Sequence, residues 1–428
     1  MDVARGQALA VAGVALFLVS MGASVALAPS IGVAGGGDAE TLVGVQGGGP
    51  GWHDYGRVTM YEGRDVAWQL TGTDSYFDVQ RADDGTVLAG FMDGGREDCG
   101  PYGAPCAHTG FQRIDPDADG GPAVVDEYGF PVRSMKNSEV HDVEPLGGGE
   151  YLLTDMDRER LVVVDGGEVV WQWNASELYE PPEDPTRTDW LHINDVDVIE
   201  EGRFLVSVRN ANQLVIVERG EGAVEVVNED DGGDDATCQG QLVDADGDGD
   251  VRCGDPAVLN HQHNPQWLGD GAVLVADSDN DRIVELHRTD DGDWEPAWVL
   301  ESAGGVDLQW PRDADRLPNG NTLVTDTHNR RVFEVNESGE VVWSVRTEYV
   351  PYEADRLPGN ERAGDLPRYE GDAVTGPASG VPLLSTALVG LRAAWSGLPF
   401  WFREWQLLAT LLSLGLVVAG AIDYRRGG

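Results

Sequence analysis

At 428 residues, with 75 Asp and Glu against 29 Lys and Arg, the chain carries a formal net charge of -46. No basic face remains to neutralise phosphates, which excludes nucleic acid as a partner. The acid is spread over turns and loops rather than gathered in a tail; charge repulsion reaches only ~3 Å at 1 M salt, so the composition reads as halophilic and an isolated acid carries no functional weight.

Residues 7–30 form an apolar run behind Arg5. It is long enough to span a bilayer and is also shaped like a signal peptide ending at Ala26-Leu27-Ala28; Pro29 directly after that point favours a retained anchor. A Gly-rich stretch over 34–50 follows. Five segments then share one pattern: Phe77 to Phe91, His141 to Asp155, Asn194 to Val208, His263 to Asp277 and Arg312 to Asp326. Each opens on a polar or aromatic residue, alternates briefly, turns through Gly or Asp, and ends on an apolar strand fourteen residues after its opening. Recurrence at intervals of about fifty residues, with Val-, Ile- and Trp-rich strands, is the mark of four-stranded propeller blades. Thr41 to Gln46 matches a second strand that lacks its first, and the missing strand reappears at Tyr352 to Gly359, where YEADRLPG repeats RDADRLPNG. Strands from both ends therefore complete one blade. The expected fold is all-β, a closed six-bladed β-propeller without a free sheet edge, carried between N- and C-terminal transmembrane helices.

After residue 365 the acidic region gives way to a second apolar one. Trp405 to Ile422 is a transmembrane candidate with Trp401 and Trp405 on one side and Arg425 and Arg426 on the other. That charge bias puts the C-terminus in the cytoplasm and the propeller outside the cell. The segment 381–400, interrupted by Arg392, reads as lying along the membrane surface. The organisation is thus an anchor or signal peptide over 1–32, the propeller over 33–365 with its first blade closed by 352–359, a linker and membrane-proximal segment over 366–403, and a helix with a basic tail over 404–428.

The four cysteines fall in two close pairs, Cys99 with Cys106 and Cys238 with Cys253, in irregular Gly-rich segments. This suits local disulfides of an exported protein better than zinc, for which only His108 is near. The loop DADGDGDVRCGD offers oxygen ligands at Asp244, Asp246, Asp248, Asp250 and Asp255 and resembles the calcium loop of EF-hand and dockerin proteins, with Asp in place of the bidentate Glu; a structural calcium is the cofactor expected there.

In a propeller the first strand of each blade lines the channel and its opening residue points into one mouth. The ring at that mouth is Tyr352, Phe77, His141, Asn194, His263 and Arg312, with His192 and His261 two positions before Asn194 and His263. The second strand runs back to the same mouth, which brings Arg209 beside His192 and Asn194. Four of the eight histidines converge at one structural position, and a concave site with converging titratable groups is a candidate active site. Phe77, Tyr352 and Trp190 are candidates for an aryl pocket, whereas Trp267 reads as blade core. The insertions 92–108, 174–190 and 228–259 rise over this mouth, where the disulfides would stiffen a cover.

The stretch from Asp189 to Glu218, DWLHINDVDVIEEGRFLVSVRNANQLVIVE, with HDVEPL before it and QHNPQWLGDG after it, resembles the arylsulfotransferase family over roughly residues 60–345. The resemblance implies a six-bladed propeller outside the cytoplasm that moves a sulfuryl group from an aryl sulfate donor to a phenolic acceptor through a sulfohistidine, with no catalytic cofactor. By the same resemblance His263 matches the nucleophile, His192 and Asn194 the His-x-Asn pair, Arg209 the arginine ending the next strand, and His141 the earlier catalytic histidine. His261 leaves the nucleophile ambiguous, Asn210 stands where the family has a basic residue, and the family's large N-terminal domain is absent. The chemistry agrees independently: a neutral imidazole is a competent nucleophile, and preorganised cations suit a group with charge on three oxygens. Arg312, Phe77 and Tyr352 are expected to bind substrate. Two other readings use the same ring: a metal-dependent lyase or lactonase with His141, His192 and His263 as ligands, or a non-catalytic extracellular binding propeller.

Overall fold

The computed structural model describes residues 2–28, 39–49, 52–229, 251–358, 363–369 and 401–427, with a few isolated positions between these blocks. Contacts divide the chain into two units, 32–376 and a second built from 1–31 with 377–428.

Six four-stranded antiparallel sheets and one two-stranded ribbon, Ser302–Ala303 with Val306–Asp307, make up the first unit among the described residues. Blade 1 takes its innermost strand, Val350–Leu357, from the far end of the domain and its other three, Glu40–Gly47, Arg57–Glu62 and Asp65–Thr71, from the near end. Val43 pairs with Ala354 and Thr41 with Arg356, the register expected from the repeated Asp-Arg-Leu sequence. Blades 2 to 6 begin at Ser75–Arg81, Val143–Gly147, Ile193–Glu200, His263–Gly269 and Asp313–Arg316. Between blades, apolar faces interlock, as where Leu152 and Val163 of blade 3 meet Phe204, Val206 and Val215 of blade 4.

The innermost strand of every blade is a sheet edge whose N–H groups face the channel, and buried N–H groups need acceptors. A side chain from the preceding blade supplies one at each junction. Val143 N donates to Asp78 (3.2 Å), Val196 N to Asp142 (2.6 Å) and Trp267 N to Asp197 (2.8 Å). Arg316 N donates to Gln266 (2.7 Å), Ala354 N to Asp313 (2.9 Å), and Val79 N to Glu353 (3.2 Å), which closes the circuit. In blades 2, 3 and 6 the staple is thus the Asp directly after the opening residue, in blade 1 the Glu at that place, and in blades 4 and 5 a residue two positions further on.

A second repeated device fixes the turn between second and third strands. In blades 3, 5 and 6 the last residue of the second strand, Asp155, Asp277 or Asp326, accepts from an arginine five positions on, Arg160 (2.7 Å), Arg282 (2.6 Å) or Arg331 (2.7 Å). Blade 4 has Val208 and Gln213 instead, and its turn begins with Arg209. In blades 3, 4 and 5 the turn ends on a left-handed residue, Glu159, Asn212 or Asp281, at φ 50°, 55° and 53°. Those side chains accept from the backbone N–H of His192, His261 and Trp310 in the next blade, residues themselves held at φ 55°, 49° and 50°. Positive φ is costly for such residues. Here the preceding blade holds it in place, and the residues two positions before the mouth residues Asn194, His263 and Arg312 are fixed as a set.

The second unit pairs two helices long and apolar enough to cross a membrane, α1 (Asp2–Leu27) and α2 (Glu404–Gly427). They run antiparallel, with Ser24 bonded to Gln406 (3.2 Å) at one end and Arg5 facing Asp423 (3.5 Å) at the other. Glycine permits their approach: a Cβ on Gly13 would lie 2.6 Å from the Ser413 carbonyl oxygen, and one on Gly420 2.5 Å from that of Gly6. Small residues let helix backbones pack closely in lipid. Most of the segment 381–400 lies outside the described residues.

Candidate functional site

His141, His192 and His263 are buried at one end of the channel, with Asn194 and Tyr352 fully so. Their rings form a connected set. His141 lies 4.7 Å from Phe77, 4.9 Å from Tyr352 and 5.7 Å from His192, and His263 lies 6.2 Å from Tyr352. Blades 1 to 5 thus bring their mouth residues together, and Arg312 of blade 6 stands 4.8 Å from the Tyr352 ring.

Each imidazole is held differently. His263 Nδ1 lies 2.8 Å from Ser278 Oγ, and Ser278 Oγ lies 2.6 Å from the Pro311 carbonyl, which only accepts. The single hydroxyl proton is therefore committed to Pro311, so His263 must donate from Nδ1 and present an unprotonated Nε2. Burial, with Arg312 and Arg209 nearby, keeps this imidazole well below its usual pKa. His192 is oriented by Asp189 at 2.6 Å from Nδ1; burial lowers its pKa and Arg209 lowers it further, against the pull of that carboxylate. His141 is also neutral, through burial above all, and its Nδ1 has no partner. His261 sits at the rim with Nδ1 2.7 Å from Asp279.

Arg209 and Arg312 stand out electrostatically. Among the described residues most arginines are ion-paired, yet these two form no ion pair there and the Nε of each has no partner. Arg312 is 5% exposed, and burial lowers its pKa to about 10, which leaves it cationic at neutral pH. Arg209 bonds only its neighbour Asn210, at 2.9 Å. Asn194 behaves differently from a substrate donor: its amide N–H goes to the Gln262 carbonyl (2.9 Å), which positions the backbone next to His263.

Several mouth residues escaped the sequence reading. Trp310 lies 5.7 Å from the His263 ring, and Trp52 lies 5.2 Å from Trp310; His328 packs against both. His53 bonds Glu139 (3.1 Å) and Ser75 (2.7 Å), fastening the loop between the second and third strands of blade 1 to blade 2. Gln46 bonds Arg312. Trp190, expected near the aryl pocket, instead packs with Tyr179 and Leu191 in the core and is 2% exposed. Phe77 is fully buried, as part of the wall behind His141 rather than an open face.

The cover has the expected covalent ties, Cys99–Cys106 and Cys238–Cys253. Tyr102 reaches Asp157 (3.2 Å) and Arg133 reaches Thr186 (2.7 Å), joining the loops of blades 2 and 3. Of the calcium candidates, Asp246, Asp248 and Asp250 lie outside the described residues, while Asp255 accepts from Ala257 N (2.8 Å) in a turn. Among the described residues no three His, Cys, Asp or Glu side chains converge so as to hold a metal.

Fold and mouth together define a six-bladed β-propeller whose channel mouth is lined by buried imidazoles and by two guanidiniums without an ion pair among the described residues. A model of the arylsulfotransferase (ASST) family matches residues 180–348, which span blades 4 to 6. That match supports an arylsulfotransferase-family assignment over the three blades it covers. A comparison with curated proteins found no match. Among solved structures, a protein of unknown function from Bacteroides caccae is similar at a TM-score of 0.49 and 14% identity, covering 75% of this chain and 100% of its own. The periplasmic gluconolactonase of Pseudomonas aeruginosa gives 0.42 at 16% identity over 75% and 86% of the two chains. Virginiamycin B lyase from Staphylococcus aureus gives 0.35 at 12% over 62% and 68%. At these scores the likenesses carry no argument about activity.

Proposed function

We propose that the protein transfers a sulfuryl group from an aryl sulfate to a phenol, with His263 Nε2 as the nucleophile and a sulfohistidine as the intermediate. The observation that carries this reading is a pair of arginines near His263 that form no ion pair among the described residues, Arg312 buried and Arg209 half-buried, in a chain of net charge -46. A buried cation without a counter-ion costs several kcal/mol, which an anionic substrate would offset. Arg209 then faces the equatorial oxygens of the sulfuryl group, His141 donates from the opposite wall, and Asn194 positions His263. His192, aligned by Asp189, is the group suited to accept the proton of the incoming phenol. His263 is preferred over His261 because the Ser278 relay frees its Nε2 and burial keeps it neutral. The reaction so written calls on no metal, and a structural calcium at the Asp244 to Asp255 loop is an expectation of the sequence alone.

We further propose that both helices anchor the protein with Arg425 and Arg426 in the cytoplasm and the propeller outside, where its disulfides persist. The test is mass spectrometry of detergent-purified protein after exposure to 4-nitrophenyl sulfate. One sulfuryl group on the His263 peptide is expected, and on none in His263→Ala; a label on another residue, or none at all, refutes the assignment.

A further inference from the structure

The two arginines beside His263 have unlike surroundings. Arg209, from blade 4, stands among polar groups: Asn210 bonds it, and its charge helps to hold the Asp189 carboxyl below its usual range despite burial. Arg312, from blade 6, stands in an aromatic box. Its guanidinium lies 4.3 Å from the Trp310 ring, 4.8 Å from Tyr352 and 5.4 Å from Trp52. Gln46 takes one of its five N–H groups and Nε takes no partner. Trp52 and Trp310 are half-buried, so their ring surface continues from the box towards the open mouth. Backbone geometry secures the arrangement: Trp310 sits at φ 50°, with its N–H on Asp281 (2.7 Å) and its indole N–H on Asp279 (2.9 Å).

Blade order places His263 between these environments, polar on the blade 4 side and aromatic with a buried cation on the blade 6 side. We propose that Trp52 and Trp310 form the subsite for the aryl ring, and that Arg312 stabilises the phenolate oxygen directly as its bond to sulfur breaks. The inference rests on the sulfuryl-transfer reading. In the forward step the His263 Nε2 lone pair forms the N–S bond, and the S–O(aryl) pair departs on the aryl oxygen. The Nδ1 proton stays on the ring, bonded to Ser278. The leaving group is then a phenolate paired with Arg312, and no proton donor is needed on that side. In the second half-reaction an acceptor phenol bound at the same place gives its proton to His192, more readily because a desolvated cation favours the charged form, and its oxygen forms the O–S bond as the N–S pair returns to His263 Nε2.

Two measurements separate this inference from the reading beneath it. The first needs no turnover: 4-nitrophenol is titrated spectroscopically in the presence of saturating protein. Wild type is expected to hold it as the yellow phenolate at a pH at least one unit lower than in free solution, and Arg312→Gln to lose that shift. A bound nitrophenol that ionises as it does in water overturns the proposal, whatever the variant does. The second is single-turnover sulfurylation with substituted phenyl sulfates of graded leaving-group basicity. Arg312→Gln should slow the most basic leaving groups about 10²-fold and nitrophenyl sulfate only a few-fold, with partial rescue by Arg312→Lys. An equal loss across the series would mean a merely structural arginine and overturn it. Failure of any donor to sulfurylate His263 would instead sink the transferase reading and leave the nitrophenol titration to judge the box.

Discussion

Ser278 accepts from His263 Nδ1 at 2.8 Å while giving its own proton to the Pro311 carbonyl at 2.6 Å, so one hydroxyl sets the tautomer of the proposed nucleophile. Removing it frees the ring to place its proton on either nitrogen, and in the wrong tautomer Nε2 carries a hydrogen and cannot attack. Ser278→Ala is expected to lower the sulfurylation rate about 10- to 100-fold with little change in KM, and Ser278→Thr to retain most of it. Nitrogen NMR of labelled histidine would show the mixed tautomer directly. A Ser278→Ala protein as fast as wild type would remove the relay from the mechanism.

Arg209 occupies the position that Ser278 holds in blade 5, directly after the end of the second strand. Arg209→Ala should cost about 10²–10³-fold in kcat, the usual loss on removing an oxyanion donor. Its effect on stability should be small or favourable, since an unpaired, half-buried charge is removed. Activity and thermal unfolding measured together check this. Equal losses in both would make Arg209 a folding residue.

That equivalence explains what was legible in the sequence and what was not. The fourteen-residue spacing from inner strand to the end of the second located the six blades, the closing strand and Arg209. Carried one position further in every blade, it leads to Gln46, Ser278 and Thr327. Trp310 stands two positions before Arg312, just as His192 and His261 precede Asn194 and His263, but a tryptophan there is indistinguishable in sequence from blade core. Trp52 and His53 could not be found by periodicity, because they belong to a loop without counterparts in other blades. Trp190 misled for the opposite reason: it lies beside His192 in sequence, yet the left-handed turn at His192 sends neighbouring side chains to core and mouth. The acidic composition hid the staples, since Asp142 and Asp313 look like any other acid until their backbone partners are seen.

Burial lowers the pKa of His141, His192 and His263, and the nearby arginines add to this at His192 and His263. A group whose pKa is depressed in the folded protein stays neutral until the pH falls below that depressed value. The acid limb of the sulfurylation rate should therefore lie below pH ~6.5, the ordinary imidazole value. Arg209→Gln should move the limb upward, since one of the depressing charges is gone. A wild-type limb at or above the ordinary value would contradict the buried, cation-flanked setting.

The channel staples predict a stability profile that runs against most proteins. Burial raises Asp78, Asp197 and Asp313 to about 7, and raises Asp142, Asp195 and Asp315 well above the usual carboxylate range, where neighbouring acids add to the effect. Their folded values exceed the unfolded ones near 3.9, so the folded state binds more protons across the interval. The stability this contributes is complete below about pH 4 and is lost as pH rises through 7. The three buried histidines work the other way, contributing above pH ~6.5 and losing their contribution below it, so they are silent at higher pH. Between pH 6.5 and 8.5 only the carboxyls act, and the unfolding midpoint should fall steadily at fixed molar salt. Asp315 staples no neighbouring strand and has an oxygen without a partner, so Asp315→Asn should flatten the slope without loosening the ring. Asp142→Ala removes the acceptor of Val196 N and should destabilise by about 1–3 kcal/mol at any pH. Calorimetry of the three proteins at several pH values decides the matter, and a midpoint that rises from pH 6.5 to 8.5 would show that the channel carboxyls are not protonated in the fold.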